Sequence, residues 1–163
     1  MVTKMAKMKM DPKTTCYCHL VQLLRDTSYL LNQTYIVHWN VMGSKFYAIH
    51  KLTQDSYEEL QEALDVIAEH IRSLDISTPM TVEDLNRSSM GPIPTDYADQ
   101  DGMIRALAIN NNLIADSFNF LAEEAEAMGD QLTLDLAVER GRAHKKFQWL
   151  LKSNLDCSCQ HSS

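Results

Sequence analysis

Glycine and proline are scarce: the 163 residues hold five glycines and four prolines. Such a shortage of turn-makers argues against a chain of many short strands and for long helices. No run of about 18 apolar residues occurs, so no segment reads as a membrane-spanning helix. The opening stretch MVTKMAKMKMDPK is basic but lacks the continuous apolar core of a secretory leader. Cysteine is limited to two Cys-x-Cys pairs, Cys16/Cys18 and Cys157/Cys159, near opposite ends of the chain. That is no disulfide framework, and a cytoplasmic address, where thiols stay reduced, is the expectation. Positive charge is also in the minority. With 15 Lys and Arg against 22 Asp and Glu, the net charge is -7, which disfavours nucleic-acid binding by the folded body and suits a protein that handles cations.

What is present is helical periodicity. Residues 1–13 carry Lys4, Lys7, Lys9 and Lys13 against Asp11 and show no apolar rhythm, so they read as a mobile tail. Residues 14–156 read as one domain and 157–163 as a short C-terminal tail. Leu20, Leu24, Leu31, Tyr35 and Trp39 mark a first helix that Gly43 stops. Phe46, Ile49, Tyr57, Leu60, Leu64, Ile67 and Ile71 mark a second, with Ser44 as its expected cap. Residues 75–95 hold three of the prolines and a short helix capped by Thr81. A third helix, opening near Thr95 or Asp96, carries Met103, Leu107, Ile114, Phe118, Leu121 and Ala125. A fourth starts at Gly129-Asp130 and carries Leu132, Leu136, Phe147, Leu150 and Leu151. The fold class expected is therefore all-α: a four-helix bundle of the ferritin-like type, with a long middle crossover bearing a short helix.

Two histidines flank the first turn. His38 lies five residues before Gly43 and His50 seven after it, so antiparallel helices place both imidazoles about 7.5–10 Å from the turn, facing one another. Asp65 and Glu69 are neighbours on one face of the second helix. Carboxylates beside imidazoles suit a divalent metal of the iron class. Yet His50 and Asp65 are about 22 Å apart along one helix. A two-fold axis crossing that helix near Tyr57 and Glu58 resolves the conflict, because an antiparallel partner then brings its own Asp65 and Glu69 beside these histidines. Taken singly, each of the four residues also reads as a packed or solvated helix residue; the combination favours the metal. None of the six histidines has a glutamate three residues before it, which removes the intrasubunit di-iron pattern.

The stretches HWNVMGSKFYAIHKL and DVIAEH resemble the signature of Dps, the DNA-binding protein from starved cells, a family of dodecameric ferritin-like mini-ferritins. AEAMGDQLTLDLAVE and HKKFQWLLKSNL are similar to its third-to-fourth helix turn and its last helix. The resemblance implies that His38, His50, Asp65 and Glu69 are inter-subunit ferroxidase ligands. The implied reaction oxidises Fe(II), preferably with hydrogen peroxide, and stores Fe(III) mineral in a hollow homo-oligomeric shell, protecting against oxidative stress. Trp39 matches the family's aromatic near the iron, whose implied role is to absorb oxidising equivalents; its alternative role is core packing. Gln54, four residues after His50, departs from the pattern, since an acid is common there and helps to hold a second iron. Asp55 and Glu58 are the candidates to compensate. Asp130 and Asp135 match the stretch that lines three-fold pores, although Asp130 also reads as a helix N-cap. The lysine tail is the candidate DNA contact, non-specific and linked to a nucleoid-associated location. A DNA-compacting shell with an idle iron centre is the competing reading.

Three features stand outside this scheme. The consecutive asparagines Asn110, Asn111 and Asn112 read as a polar face or a subunit contact. His70 points about 100° away from Glu69, and His144 has no matching partner. The cysteines read as ordinary thiols.

Overall fold

The computed structural model describes residues 12–96 and 98–155. Lys4, Lys7, Lys9 and the Cys157/Cys159 pair lie outside the described residues. The described chain consists of α1 (Pro12–Asn40), a single 3-10 turn (Gly43–Lys45), α2 (Phe46–Ser73), the short α3 (Val82–Leu85), α4 (Gln100–Met128) and α5 (Gln131–Lys152), with no strand among the described residues. The expected all-α, ferritin-like bundle is the fold found. Helix α1 packs on α2 and α4, and α5 on α4 and α2.

Local chemistry sets the boundaries. Pro12 opens α1, where its missing N–H costs nothing, so the helix begins inside the stretch read as a tail. Lys13 lies in that first turn, its ammonium 5.7 Å from the Tyr17 ring centre. Ser44 is not the cap of α2: the 3-10 turn leads directly into it, and Lys45 occupies the cap position without a side-chain bond. Thr81 accepts the Asp84 N–H at 3.1 Å, as its position predicts. Asp99, rather than Thr95 or Asp96, caps α4 by accepting the Gly102 N–H at 2.8 Å. Gly129, at φ 71°, closes α4 in the left-handed region, and Asp130 at once caps α5.

The core follows the three-four rhythm. Leu20, Ile49, Leu60, Ile67, Leu107, Ile114 and Phe118 are fully buried. Trp39 and Leu132 are not: they are 69% and 74% exposed, which rules out core packing for Trp39. The crossover runs beside α1, and polar bonds record its course. Arg25 pairs with Asp84 at 2.8 Å, the Asp26 carboxylate accepts the Ser89 N–H at 2.8 Å, Gln33 donates to the Gly91 carbonyl at 2.8 Å, and the Met42 N–H donates to Gln100 at 2.7 Å.

Two of the three asparagines lie inside the bundle rather than on a polar face. Asn110 donates to Gln33 at 2.7 Å and to the Gly91 carbonyl at 3.0 Å, fastening the crossover to the core. Asn111 accepts from His144 Nδ1 at 3.1 Å, and His144 stacks on Phe118. Burial, aided by the Arg140 charge, pushes the His144 pKa down to about 3. The unfolded chain therefore binds a proton below about pH 6.5 that the folded chain refuses, and stability falls as pH drops from about 6.5 towards 3. The expected contribution is about 1.4 kcal/mol per pH unit. His144→Gln should flatten the pH dependence of the urea midpoint across that window. An unchanged slope would contradict this role for the buried ring.

Candidate metal centre

The hairpin between α1 and α2 builds the centre. His38 occupies the last turn of α1 and His50 the second turn of α2; between them Gly43 adopts φ 79°, a conformation that favours glycine. The two imidazoles stack, with ring centres 3.8 Å apart and planes 20° from parallel. Each ring also bonds the other's backbone. His38 Nδ1 lies 3.0 Å from the His50 carbonyl, and His50 Nδ1 lies 3.0 Å from the His38 carbonyl. A carbonyl only accepts, so Nδ1 carries the proton in both rings. In the neutral form Nε2 is then the nitrogen with a free lone pair, the arrangement by which proteins prepare an imidazole to bind metal.

Thr53 holds the pair in place. Its hydroxyl donates to the Ile49 carbonyl at 2.7 Å and lies 3.1 Å from His38 Nδ1, whose N–H it accepts. His38 is buried. Its pKa is lowered chiefly by that burial and also by the His50 charge, against the raising effect of its bond to the His50 carbonyl. Two charged rings at stacking distance would repel, which together with burial favours a neutral, ligating His38.

Asp65 and Glu69 lie elsewhere. Helix α2 is continuous from Phe46 to Ser73, which leaves His50 and Asp65 about 22 Å apart on one rod. Both carboxylates are exposed. Among the described residues no group of three or more His, Cys, Asp or Glu side chains converges on one point. One chain thus supplies a pair of imidazoles at one position and a pair of carboxylates at another. Exposed apolar side chains neighbour both in the sequence, Ile36, Trp39, Phe46 and Tyr47 near the histidines and Val66 next to Asp65, and Phe46 stacks on His50.

The remaining candidates are placed as follows. Gln54 donates to Glu58 at 2.9 Å, while Asp55 is held by Lys51 at 2.8 Å. Trp39 follows His38 in sequence, but its ring stacks on Tyr35, which contacts Tyr57, and Tyr57 stands edge-on to His38. Asp130 accepts the Thr133 N–H at 3.1 Å and the Thr133 hydroxyl at 2.7 Å, so it caps α5. His70 lies 2.8 Å from that same hydroxyl. Asp135 is exposed and accepts from Gln131 at 2.7 Å. Cys16 is buried, and burial, with Glu124 and Asp130 near it, raises its thiol to about 11; Cys18 is exposed. Sequence reasoning missed Thr53, Tyr35 and Tyr57 as parts of the site. The signal for Thr53 was available, because a hydroxyl three residues after His50 shares its helical face.

A sequence model of the ferritin-like domain matches residues 17–157. The chain belongs to the ferritin-like family. Dps proteins are among those it is similar to. It is 25% identical over 138 residues to the DNA protection during starvation protein of Helicobacter pylori, covering 83% of this chain and 95% of the relative. A low temperature-induced protein of Nostoc sp. is 29% identical over 139 residues, covering 84% and 78% of the two chains. Among solved structures, Dps from Thermosynechococcus elongatus superposes with a TM-score of 0.84 at 24% identity, covering 93% of this chain and 97% of the other. The ferritin-like bundle is thus fixed by sequence and by shape, and the histidine pair falls in its first hairpin.

Proposed function

We propose that this ferritin-like chain is a Dps-type ferroxidase. It assembles through two-fold dimers into a closed homo-oligomeric shell, a dodecamer by resemblance to the family. There it oxidises Fe(II) with hydrogen peroxide and retains the Fe(III) mineral, removing two reactants of radical chemistry together. The observation that carries this reading is the reciprocal Nδ1 bonding of His38 and His50. It fixes two adjacent imidazoles in the ligating tautomer, and among the described residues no carboxylate of the same chain joins them. The exposed apolar side chains near the pair and next to Asp65 in the sequence fit burial against a second copy, which would bring its own Asp65 and Glu69 to the imidazoles. Iron is the substrate of this site. Carboxylates favour the ferric product, while the few, partly neutral ligands leave room for the oxidant.

Fe(II) mixed with the assembled protein and peroxide should oxidise much faster than in buffer. A rate equal to buffer would contradict the assignment. Asp135 is the better candidate for a pore, since the Asp130 carboxylate is engaged in capping.

DNA contact is a second, compatible reading. Four lysines against one acid in residues 1–13 favour it, because a tethered cationic segment reaches phosphates that an acidic body repels. Deleting residues 1–13 should abolish a DNA mobility shift, and the full-length shift should weaken steeply with added salt. A shift that survives the deletion would contradict the tail as the contact.

A further inference from the structure

The α1–α4 side of the bundle carries a groove that the proposed site does not use. It measures about 430 Å³ and lies between His19, Leu23 and Asp26 of α1 and Leu113, Asp116 and Phe120 of α4. On each helix the three residues recur at intervals of three and four, so each helix turns one face to the groove. The floor is apolar, although Leu113 and Phe120 are 47% and 51% exposed. The walls are acidic. Glu124 holds His19 at 2.7 Å, and Asp116 is shared with Lys145 at 2.7 Å. Asp26 is different: it is 4% exposed, yet its bonds come from Gln22, Ser88 and Ser89, all uncharged donors. A carboxylate so placed attracts a cation more strongly than one surrounded by water.

A segment of matching chemistry precedes α1. In residues 1–11, Met1, Met5 and Met8 recur at helical spacing, with Lys4, Lys7 and Lys9 between or beside them. Methionine fills irregular apolar surfaces, and the lysines complement the acidic walls. Reach favours this groove. His19 lies about 10 Å along α1 from Pro12, and Asp26 about 21 Å. Eleven residues span about 36–40 Å when extended and about 16 Å as a helix, so either form folds back from the start of α1 into the near end. The face proposed to meet a second copy is distant, since Ile36 lies about 25 Å along α1 from His19.

We infer that residues 1–11 dock in the α1–α4 groove of their own chain, with methionines on Leu113 and Phe120 and a lysine directed at Asp26. The groove then competes with DNA for the same lysines. Docking itself does not depend on the DNA reading given above.

The test is radiolytic hydroxyl-radical labelling of the full-length assembled protein without added iron, read by mass spectrometry at Leu113 and Phe120. Both should be labelled slowly for residues half exposed on α4. Deleting residues 1–11 should raise both rates several-fold and leave the exposed Trp149 unchanged. Met5→Ser combined with Met8→Ser, which keeps the lysines, should raise them as well and so separate packing from charge. Fast labelling in the full-length protein would reveal an open groove and overturn the docking. Slow labelling that survives the deletion would mean that a second copy covers the groove, and a rise that includes Trp149 would mean general loosening; either result also overturns it. In a mobility shift, Phe120→Ser should tighten DNA binding several-fold by releasing the segment, and an unchanged affinity would overturn the competition. No shift in either protein would remove the DNA contact, with the docking decided by the labelling.

Discussion

Asp65→Ala should slow peroxide-driven Fe(II) oxidation by about 10–100-fold or more, and His38→Ala should do the same. Loss of an outer-sphere partner alone costs a metal site a factor in that range, and these residues are proposed as direct ligands. The two substitutions differ in what they leave behind. Asp65 is exposed, so its removal leaves folding almost unchanged. His38 is buried and bonded to the His50 carbonyl and to Thr53, so its removal also costs about 1–3 kcal/mol in unsatisfied polar groups. Stopped-flow iron oxidation alongside thermal unfolding separates the two effects. Wild-type rates in Asp65→Ala would remove the carboxylate from the site.

The second large effect concerns the core. Arg140 is 5% exposed and makes paired bonds to Glu59, with Arg140 Nε left unpartnered. Glu59→Gln should destabilise the protein by about 3 kcal/mol, the lower end of the range for stranding a buried charge, because the Glu59 side chain keeps partial solvent access. Removing the charge as well should recover much of the loss. Arg140→Met combined with Glu59→Gln is thus expected to be more stable than Glu59→Gln alone, since an apolar replacement for a buried ion pair is often close to neutral. Urea-unfolding midpoints check the order. If the double variant is the less stable of the two, the stranded-charge explanation is wrong.

Much of this molecule was legible before any coordinates. The three-four spacing of Leu60, Ile67 and Ile71, and of Leu107, Ile114 and Phe118, identifies the buried faces because a helix cannot bury those residues on any other side. The long crossover followed from the prolines. The capping residues were harder. Thr81 and Asp130 sit immediately before regular helices, whereas Ser44 lies inside a 3-10 turn that runs into α2 and Asp96 stands three residues before the cap Asp99, offsets that a sequence does not announce. Trp39 was ambiguous for a different reason. Its position in the helix repeat is apolar, but whether an apolar face meets its own bundle or a second chain is a property of the assembly. The same holds for the candidate site. Spacing exposed the separation of histidines from carboxylates, whereas the reciprocal ring-to-backbone bonds and the contact of Tyr35 with Tyr57 depend on the register between α1 and α2, which only the folded hairpin supplies.

The proposed division of the site between chains has a direct test. His38→Ala and Asp65→Ala are each expected to be nearly inactive, but in a mixed dimer one site inherits both defects and the other inherits none. Co-assembling the two variants in equal amounts should therefore restore about a quarter of the wild-type iron-oxidation rate, because random pairing makes half the dimers mixed and each mixed dimer holds one intact site of two. If the mixture stays as inactive as its parents although mixed dimers are demonstrably present, the ligands do not meet across a subunit boundary.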